Sequence, residues 1–122
     1  MPVTQVNKTL LLLDWTFDPD TCIVTGEFTG SWYMEGPPEI IHSGILTAIA
    51  DEAMCRINRE LNFTSLLENI NLRFLNPAFV AEPMFVRGWN IKQVGEKIEN
   101  RVEIENELGK ILVRATGNYK IV

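Results

Sequence analysis

The sequence predicts an α+β fold in which one long central helix lies against a mainly antiparallel sheet of about five to six strands. Apolar residues recur with helical spacing from Ser43 to about Glu60, which is typical of a helix with one buried face. On both sides of this segment, apolar and polar residues alternate with a period of two, which indicates strands with one buried face. Only short turns separate the later strands, so neighbouring strands are expected to run antiparallel.

Two strand candidates precede the helix. The first, Lys8 to Phe17, is rich in apolar residues and is followed by the turn signal Asp18-Pro19-Asp20. The second, Cys22 to Trp32, alternates in polarity and contains two glycines, which mark a bulge or the close approach of another segment. Gly36-Pro37-Pro38 then ends the extended structure.

The helix and the strands after it follow from the same patterns. Ser43 is the expected N-cap, and one stripe of the helix carries Leu46, Ile49, Ala50, Ala53 and Ile57. Four strands are expected next, at Leu66 to Leu75, Met84 to Val94, Ile98 to Ile104 and Ile111 to Tyr119. Glycines at 95 and 109 lie in the turns that join the last three strands.

The length, charge and cysteine content of the chain limit the class of protein to which it can belong. Residues 1–122 are expected to form a single domain, which buries about two-thirds of its unfolded surface. A net charge of −5 argues against nucleic acid as a partner, because phosphate binding calls for a basic surface. Cys22 and Cys55 lie far apart and form no metal-binding pattern, which predicts free thiols, a reducing compartment and no metal site.

No membrane partner is expected from the start of the chain. The apolar run Leu10 to Leu13 has only four residues and is followed at once by Asp14. That run is too short for the core of a signal sequence or for a membrane span. We therefore expect a cytoplasmic protein.

The segment from Gly36 to Met54 combines two features of an active site. A Gly-Pro-Pro turn leads to His42, a Ser-Gly step and the start of the helix. Unpaired N–H groups and the positive end of the macrodipole at a helix N-terminus can hold a developing negative charge. Asp51 and Glu52 follow a little over two turns later, where a carboxylate can act as base or nucleophile.

A histidine, a small residue and a glycine, with an acid nine residues after the histidine, resemble the motif of hotdog-fold thioesterases, specifically their phenylacetyl-CoA thioesterase-like branch. The stretch Asn69 to Pro77 resembles the strand after the helix in that family, with its closing proline. The order and spacing of elements fit from about Trp32 to Val122. The resemblance implies a hotdog fold, in which the sheet wraps the helix, and an acyl-CoA thioesterase that releases free acid and CoA.

The resemblance also implies roles for four residues of the motif. Asp51 would act as general base for water or as nucleophile on the thioester carbonyl, and both roles stay open. The backbone N–H of Ser43 would form the oxyanion hole, although the family usually has glycine at this position. His42 would shape the turn, and Gly44 keeps the second small position.

Four further residues are candidates for substrate binding. Thr47 shares the helix stripe of Asp51. Glu52 lies about 100° round the helix from Asp51, so we expect it to be solvated or salt-bridged, with support of the site as the alternative. Arg73 and Lys97 are candidate contacts for CoA, which is part of the substrate, and no separate cofactor is expected.

Two departures from the family pattern leave alternatives open. Gly36 stands where many relatives have a polar residue, and Leu67, the fifth candidate for substrate binding, stands where many have serine or threonine. Both polar residues help to hold the attacking water in some relatives, so a non-catalytic protein that binds acyl-CoA or aromatic ligands is an alternative. A hydroxyacyl dehydratase is a weaker one, because Glu52 lies eight residues after Gly44 rather than five and His42 is too close to it.

The predicted sheet also bears on the oligomeric state. A lone sheet of this size leaves a long edge strand exposed. The resemblance implies that two protomers join their sheets and build each active site at the subunit interface. We therefore expect a homodimer or a homotetramer.

Overall fold

The computed structural model describes residues 13–122. In this part of the chain the elements are β1 (Asp14–Asp18), β2 (Ile23–Thr29), α1 (Ser43–Glu60), β3 (Ser65–Phe74), β4 (Pro83–Val94), β5 (Lys97–Asn106) and β6 (Ile111–Ile121). The predicted α+β class is confirmed, and α1 has the predicted bounds. The first predicted strand began at Lys8, so its first residues lie outside the described part.

The six strands form one antiparallel sheet in the order β1-β2-β4-β5-β6-β3. Tight turns join the central strands, and Gly95 and Gly109 adopt φ values of 59° and 81° there, a region that favours glycine. The chain between β2 and β3 contains α1, which lets β3 reach the far side of the sheet and pair with β6.

α1 covers one face of the sheet with a stripe of small and apolar side chains. Its buried residues are Leu46, Ile49, Ala50, Ala53, Met54, Ile57 and Asn58. The facing strands supply the rest of the core, including Met84, Val86, Ile98, Val102, Ile104, Val113, Ala115 and Tyr119. Within residues 13–122, no helix is both long enough and apolar enough to cross a membrane.

A chain of buried amide side chains joins the C-terminal half of α1 to the sheet. Nδ2 of Asn100 donates to Oδ1 of Asn58 at 2.7 Å and to the Met54 carbonyl at 3.3 Å. Nδ2 of Asn90 donates to Oδ1 of Asn100 at 2.9 Å, and Nδ2 of Asn58 donates to the Ser65 hydroxyl at 2.9 Å. These bonds fix the position of α1 along the sheet, which apolar contacts alone specify weakly.

β2 is shorter than the predicted strand from Cys22 to Trp32. Cys22 has a φ of 58° and belongs to the turn, while Trp32 lies in a short 3-10 segment. The strand ends near Gly30, because the Ala81 N–H donates to the Gly30 carbonyl. A Cβ on Gly30 would also lie 2.6 Å from Cδ1 of Ile41. The prediction that this glycine marks a close approach is therefore confirmed.

β3 forms an edge of the sheet and pairs, within the described residues, only with β6. Several large apolar side chains at this edge are exposed, among them Leu66 at 61%, Leu67 at 40% and Phe74 at 50%. The result is a ten-residue strand with one unpaired backbone edge and exposed apolar side chains along it. Such an edge is a template for pairing with another chain.

Candidate active site

The N-terminus of α1 is capped by His42 rather than by Ser43. Nδ1 of His42 accepts the Gly44 N–H at 2.8 Å, and Ser43 is the first helical residue. A Cβ on Gly44 would lie 3.0 Å from that same nitrogen, so a glycine lets the imidazole fold over the first turn. The predicted cap at Ser43 was therefore wrong by one residue, because the imidazole provides an acceptor that reaches the same N–H.

The backbone N–H of Ser43 is a free donor. In the described part of the chain it has no acceptor, whereas the N–H groups of Ile45 and Leu46 both reach the His42 carbonyl. The Ser43 carbonyl accepts the Thr47 hydroxyl at 2.8 Å. The helix therefore directs one unpaired N–H, at the positive end of its macrodipole, toward any anion at this end.

Backbone hydrogen bonds hold the loop before α1 in place. The His42 N–H donates to the Met34 carbonyl at 2.8 Å, and the Ile41 N–H donates to the Ala78 carbonyl at 2.8 Å. A Cβ on Gly36 would lie 3.0 Å from Cα of His42. A side chain at Gly36 would therefore press on His42, so the close packing of the loop favours glycine at this position.

An apolar cavity of about 190 Å³ opens beside Ser43. Its walls come from the loop, from the first turn of α1 and from the end of β3, and they include Pro37, Ile40, Leu46, Phe74, Asn76 and Pro77. The free N–H of Ser43 therefore lies at the border of an apolar pocket. This arrangement suits a group that joins a polar carbonyl to an apolar chain.

Asp51 is half-buried, and one of its carboxylate oxygens is held by the protein. Oδ1 accepts the Tyr119 hydroxyl at 2.7 Å and the Cys55 thiol at 3.6 Å. Oδ2 receives no hydrogen bond from residues 13–122, and this part of the chain contains no buried side-chain oxygen without a partner. Within the described part of the chain, Oδ2 is thus not fully buried and can accept a hydrogen bond from water or substrate.

Burial keeps both donors to Asp51 protonated. Burial, together with the hydrogen bond to the Asp51 carboxylate, raises the pKa of the Tyr119 hydroxyl far above its usual range. Burial and the charge of Asp51 raise the pKa of the Cys55 thiol to about 12. Cys22 and Cys55 are both free, as the sequence predicted.

The sequence did not identify Tyr119 as a site residue. It lies on β6, opposite Leu67 on β3 and Ile98 on β5, and it is 1% exposed. One signal was available, because a tyrosine on the inward face of a strand needs an acceptor for its hydroxyl. Only the structure shows that Asp51 is this acceptor.

The structure gives partners to two of the predicted substrate-binding residues on α1. Glu52 pairs with Arg56 one turn later, at 3.5 Å, in agreement with the expected salt bridge. The Thr47 hydroxyl donates a hydrogen bond to the Ser43 carbonyl.

Leu67, on β3, pairs with Tyr119 on β6. Directly opposed residues project from the same face of a sheet, so Leu67 lies on the side of the sheet that faces α1.

Arg73 and Lys97 lie at opposite ends of the sheet within one protomer. Arg73 pairs with Arg114 on β6, whereas Lys97 pairs with Lys120, and six residues of strand span about 20 Å. Nζ of Lys97 also contacts Oε1 of Glu68 at 2.6 Å. A single protomer therefore does not bring the two candidate CoA contacts together.

The two candidate catalytic groups are also far apart within one protomer. Ser43 and Asp51 are eight residues apart on one helix, which corresponds to about 12 Å along its axis. A thioester carbonyl that bonds to the Ser43 N–H is therefore out of reach of the Asp51 carboxylate of the same chain. One protomer therefore keeps the two candidate catalytic groups apart.

A larger cavity, of about 480 Å³, lies at the other end of α1. Its walls include Cys22, Ile23, Leu61, Arg87 and Trp89. It contains neither Ser43 nor Asp51, so it is not part of the candidate active site. Among residues 13–122, no cluster of three or more histidine, cysteine or acidic side chains could hold a metal ion.

Comparison with known proteins finds this fold among solved structures. No family profile and no curated protein matches the sequence. Among solved structures, a thioesterase superfamily protein is 21% identical with a TM-score of 0.84, over 88% of this chain and 53% of that protein. The chain thus spans about half the length of that protein.

Two further structures match over most of both chains. The Escherichia coli PaaI protein from the phenylacetic acid degradation operon is 18% identical with a TM-score of 0.87, over 95% of this chain and 88% of that one. A Streptococcus mutans protein bound to acetyl-CoA is 13% identical with a TM-score of 0.84, over 90% of this chain and 88% of that one. These similarities show the fold, and the chain has the hotdog fold that the sequence analysis led us to expect.

Proposed function

We propose that the protein hydrolyses acyl-CoA thioesters to a free acid and CoA. The observation that carries this proposal is a pair of groups on α1, each of which would supply one half of a site. The first turn presents the free Ser43 N–H beside an apolar cavity, and the middle of the helix presents the Asp51 carboxylate, whose Oδ2 accepts no hydrogen bond from residues 13–122. Thioester hydrolysis needs both an oxyanion donor and a carboxylate that activates or attacks.

The Ser43 N–H has one role in this reaction, and Asp51 has two alternative roles. The thioester oxygen accepts the Ser43 N–H, which stabilises the negative charge of the tetrahedral intermediate. With Asp51 as general base, Oδ2 takes a proton from the water that attacks the carbonyl carbon. The C–S bond then breaks, and the CoA thiolate leaves and takes up a proton. With Asp51 as nucleophile, Oδ2 attacks the carbonyl carbon, the C–S bond breaks, and the CoA thiolate leaves and takes up a proton. Water then hydrolyses the resulting anhydride to the free acid and restores the Asp51 carboxylate.

A second copy of the chain would complete the site. Two-fold pairing along the exposed β3 edge reverses the direction of α1 in the partner. The first turn of one helix, with Ser43, would then lie beside the middle of the partner helix, which carries Asp51. The same operation brings the Arg73 end of one β3 toward the Lys97 end of its partner. Within one protomer, Ser43 and Asp51 are about 12 Å apart and Arg73 and Lys97 about 20 Å apart. Across the interface, each group would instead lie close to the other group of the partner.

Other observations support an acyl-CoA substrate. A similar structure is described with acetyl-CoA bound, and another belongs to a phenylacetic acid degradation operon. The cavity beside Ser43 is apolar and small, as an acyl group requires. Arg73 and Lys97 supply positive charge for the phosphates of CoA, and Thr47, Glu52 and Leu67 remain candidate contacts around Asp51.

A non-catalytic acyl-CoA binding protein is the alternative, and Leu67 favours it. This side chain is apolar and 40% exposed, and it faces α1 beside Tyr119. It can pack against an acyl chain, but it cannot hold a water molecule by a hydrogen bond. The two functions differ in turnover rather than in binding.

The test is release of thiol from a panel of short, aromatic and medium-chain acyl-CoA thioesters. Asp51→Asn keeps an oxygen acceptor for Tyr119 but cannot take a proton, so we expect the rate to fall by about 10²- to 10⁴-fold. Glu60→Gln is the matched control, because Glu60 is an exposed acid at the end of the same helix.

Each outcome separates the candidate functions. Turnover that collapses in Asp51→Asn and survives in Glu60→Gln supports a thioesterase that depends on Asp51. Wild-type protein that binds CoA thioesters without releasing thiol would support the binding protein instead. Equal turnover in wild type and Asp51→Asn would remove Asp51 from the reaction.

A further inference from the structure

We propose that Tyr119 is a positioning residue for the reaction, and that its hydroxyl holds Oδ1 of Asp51 so that Oδ2 is the oxygen that reacts. This inference rests on the proposed thioesterase function and adds to it. It names a residue that the sequence motif does not include, and it assigns different tasks to the two oxygens of one carboxylate.

The contact is built into the core. Tyr119 is 1% exposed, and its hydroxyl lies 2.7 Å from Oδ1 of Asp51. A Cβ on Gly117 would lie 2.8 Å from the Met54 sulfur and 3.0 Å from Cε1 of Tyr119. The glycine thus leaves the space in which the Tyr119 ring and the Met54 side chain pack, and that packing fixes the direction of the hydroxyl.

Two donors on one oxygen make the carboxylate asymmetric. Oδ1 accepts the Tyr119 hydroxyl and, at a longer distance, the Cys55 thiol. Hydrogen bonds to the charged form hold electron density on Oδ1, so the open Oδ2 is where a proton or an acyl carbon adds. Because burial raises the pKa of both donors, they stay protonated and continue to donate throughout the neutral range.

Tyr119 acts through Asp51 rather than on the substrate. Its near-complete burial leaves no path to the thioester, and its hydroxyl donates to Asp51. The titratable groups around the carboxylate in this part of the chain are Tyr119 from β6 and Cys55 on α1, with Glu52 alongside and paired to Arg56.

The test compares Tyr119→Phe with Tyr33→Phe. The chain has two tyrosines, and Tyr33 is 70% exposed, so Tyr33→Phe removes the same hydroxyl group from an unrelated place. For Tyr119→Phe we expect kcat to fall by about 10- to 100-fold with little change in KM.

A second measurement does not depend on turnover. Carbon-13 NMR of the Asp51 carboxyl at neutral pH reports the hydrogen bonding of the carboxylate in wild type, Tyr119→Phe and Tyr33→Phe, with thermal unfolding as the check that each variant is folded. A changed carboxyl chemical shift in Tyr119→Phe alone supports the inference. An unchanged chemical shift, or an unchanged kcat in an active enzyme, overturns it. A changed chemical shift in a protein without turnover supports the hold on Asp51 and overturns only the thioesterase function.

Discussion

His42 and Gly44 act as one unit at the start of α1. The imidazole accepts the Gly44 N–H at 2.8 Å and occupies the space that a Cβ at Gly44 would fill. The cap consumes the amide of Gly44 and leaves the amide of Ser43 unpaired. The spacing of histidine and glycine therefore has a direct physical meaning: it decides which N–H of the first turn remains available to a ligand.

Ser43→Pro tests the free amide at the residue scale. Ser43 is the first residue of α1, where proline is favoured because its N–H has no helical partner. His42 has φ −58° and ψ 133°, a conformation compatible with a following proline. We expect an intact helix and a rate that is lower by about 10²- to 10³-fold, as for loss of an oxyanion donor.

Ser43→Ala is the matched variant, because it changes the same side chain and keeps the N–H. The ratio of kcat between the two variants then measures the amide alone, and circular dichroism checks that α1 is retained in both. Equal rates for the proline and alanine variants would contradict the oxyanion role of this amide.

Some of these residues could be found from the sequence and others could not. One short segment contains His42, Gly44 and Asp51, at the start and in the middle of a single helix. Their relative positions can therefore be predicted from the sequence. The bond between Tyr119 and Asp51 joins residues 68 positions apart, and it depends on the register of β6 and on how α1 lies across it. No spacing along the chain contains that information.

At the scale of elements, the buried amides hold α1 in place over the sheet. Asn58 and Asn100 are at most 1% exposed, and Asn100 also bonds to the Met54 carbonyl. Met54 lies next to Cys55 and one turn after Asp51, so this network fixes the part of α1 that carries the carboxylate. A shift of the helix along the sheet would break these bonds before it changed the apolar contacts.

Asn100→Ala is expected to lower the free energy of unfolding by about 1–3 kcal/mol, because it leaves the Asn58 oxygen buried without a donor. Asn118→Ala is the control. Asn118 lies on the neighbouring strand, opposite Glu99, and its amide bonds to Asn69 near the surface at 2.8 Å. We expect a change within about 0.5 kcal/mol there. Urea unfolding measures both, and equal losses would contradict a special role for the buried network.

The elements themselves were predictable to different degrees. The bounds of α1 match because its apolar spacing begins and ends where the helix does. The predicted strand from Cys22 to Trp32 was too long, because its polarity pattern continues past Gly30. The strand ends where the Ala81 N–H donates to the Gly30 carbonyl. A contact between segments so far apart in the sequence cannot be predicted from the local alternation of polar and apolar residues.

At the scale of the whole molecule, the half-sites and the open edge point to the same assembly. β3 exposes Leu66, Leu67 and Phe74 along an unpaired edge. A two-fold axis at this edge pairs the strand with its own copy and opposes the two helices. Each thioester would then bond to the Ser43 N–H of one chain and meet the Asp51 carboxylate of the other. The proposed composite site would require such a dimer, since one protomer keeps its two groups about 12 Å apart.

Mixed dimers test this arrangement, because Ser43→Pro and Asp51→Asn each remove a different half-site. A heterodimer of these two variants, purified through two tags, would contain one intact composite site and one doubly defective site. We expect it to recover about half of the wild-type rate, although each homodimer is nearly inactive. A chain with both substitutions, paired with wild type, should be nearly inactive, because each composite site lacks one group. If each site lay within one protomer, the dimer of the two single variants would be inactive, and the dimer of the double variant with wild type would be half-active. The rates of these two dimers therefore decide which chain supplies the carboxylate.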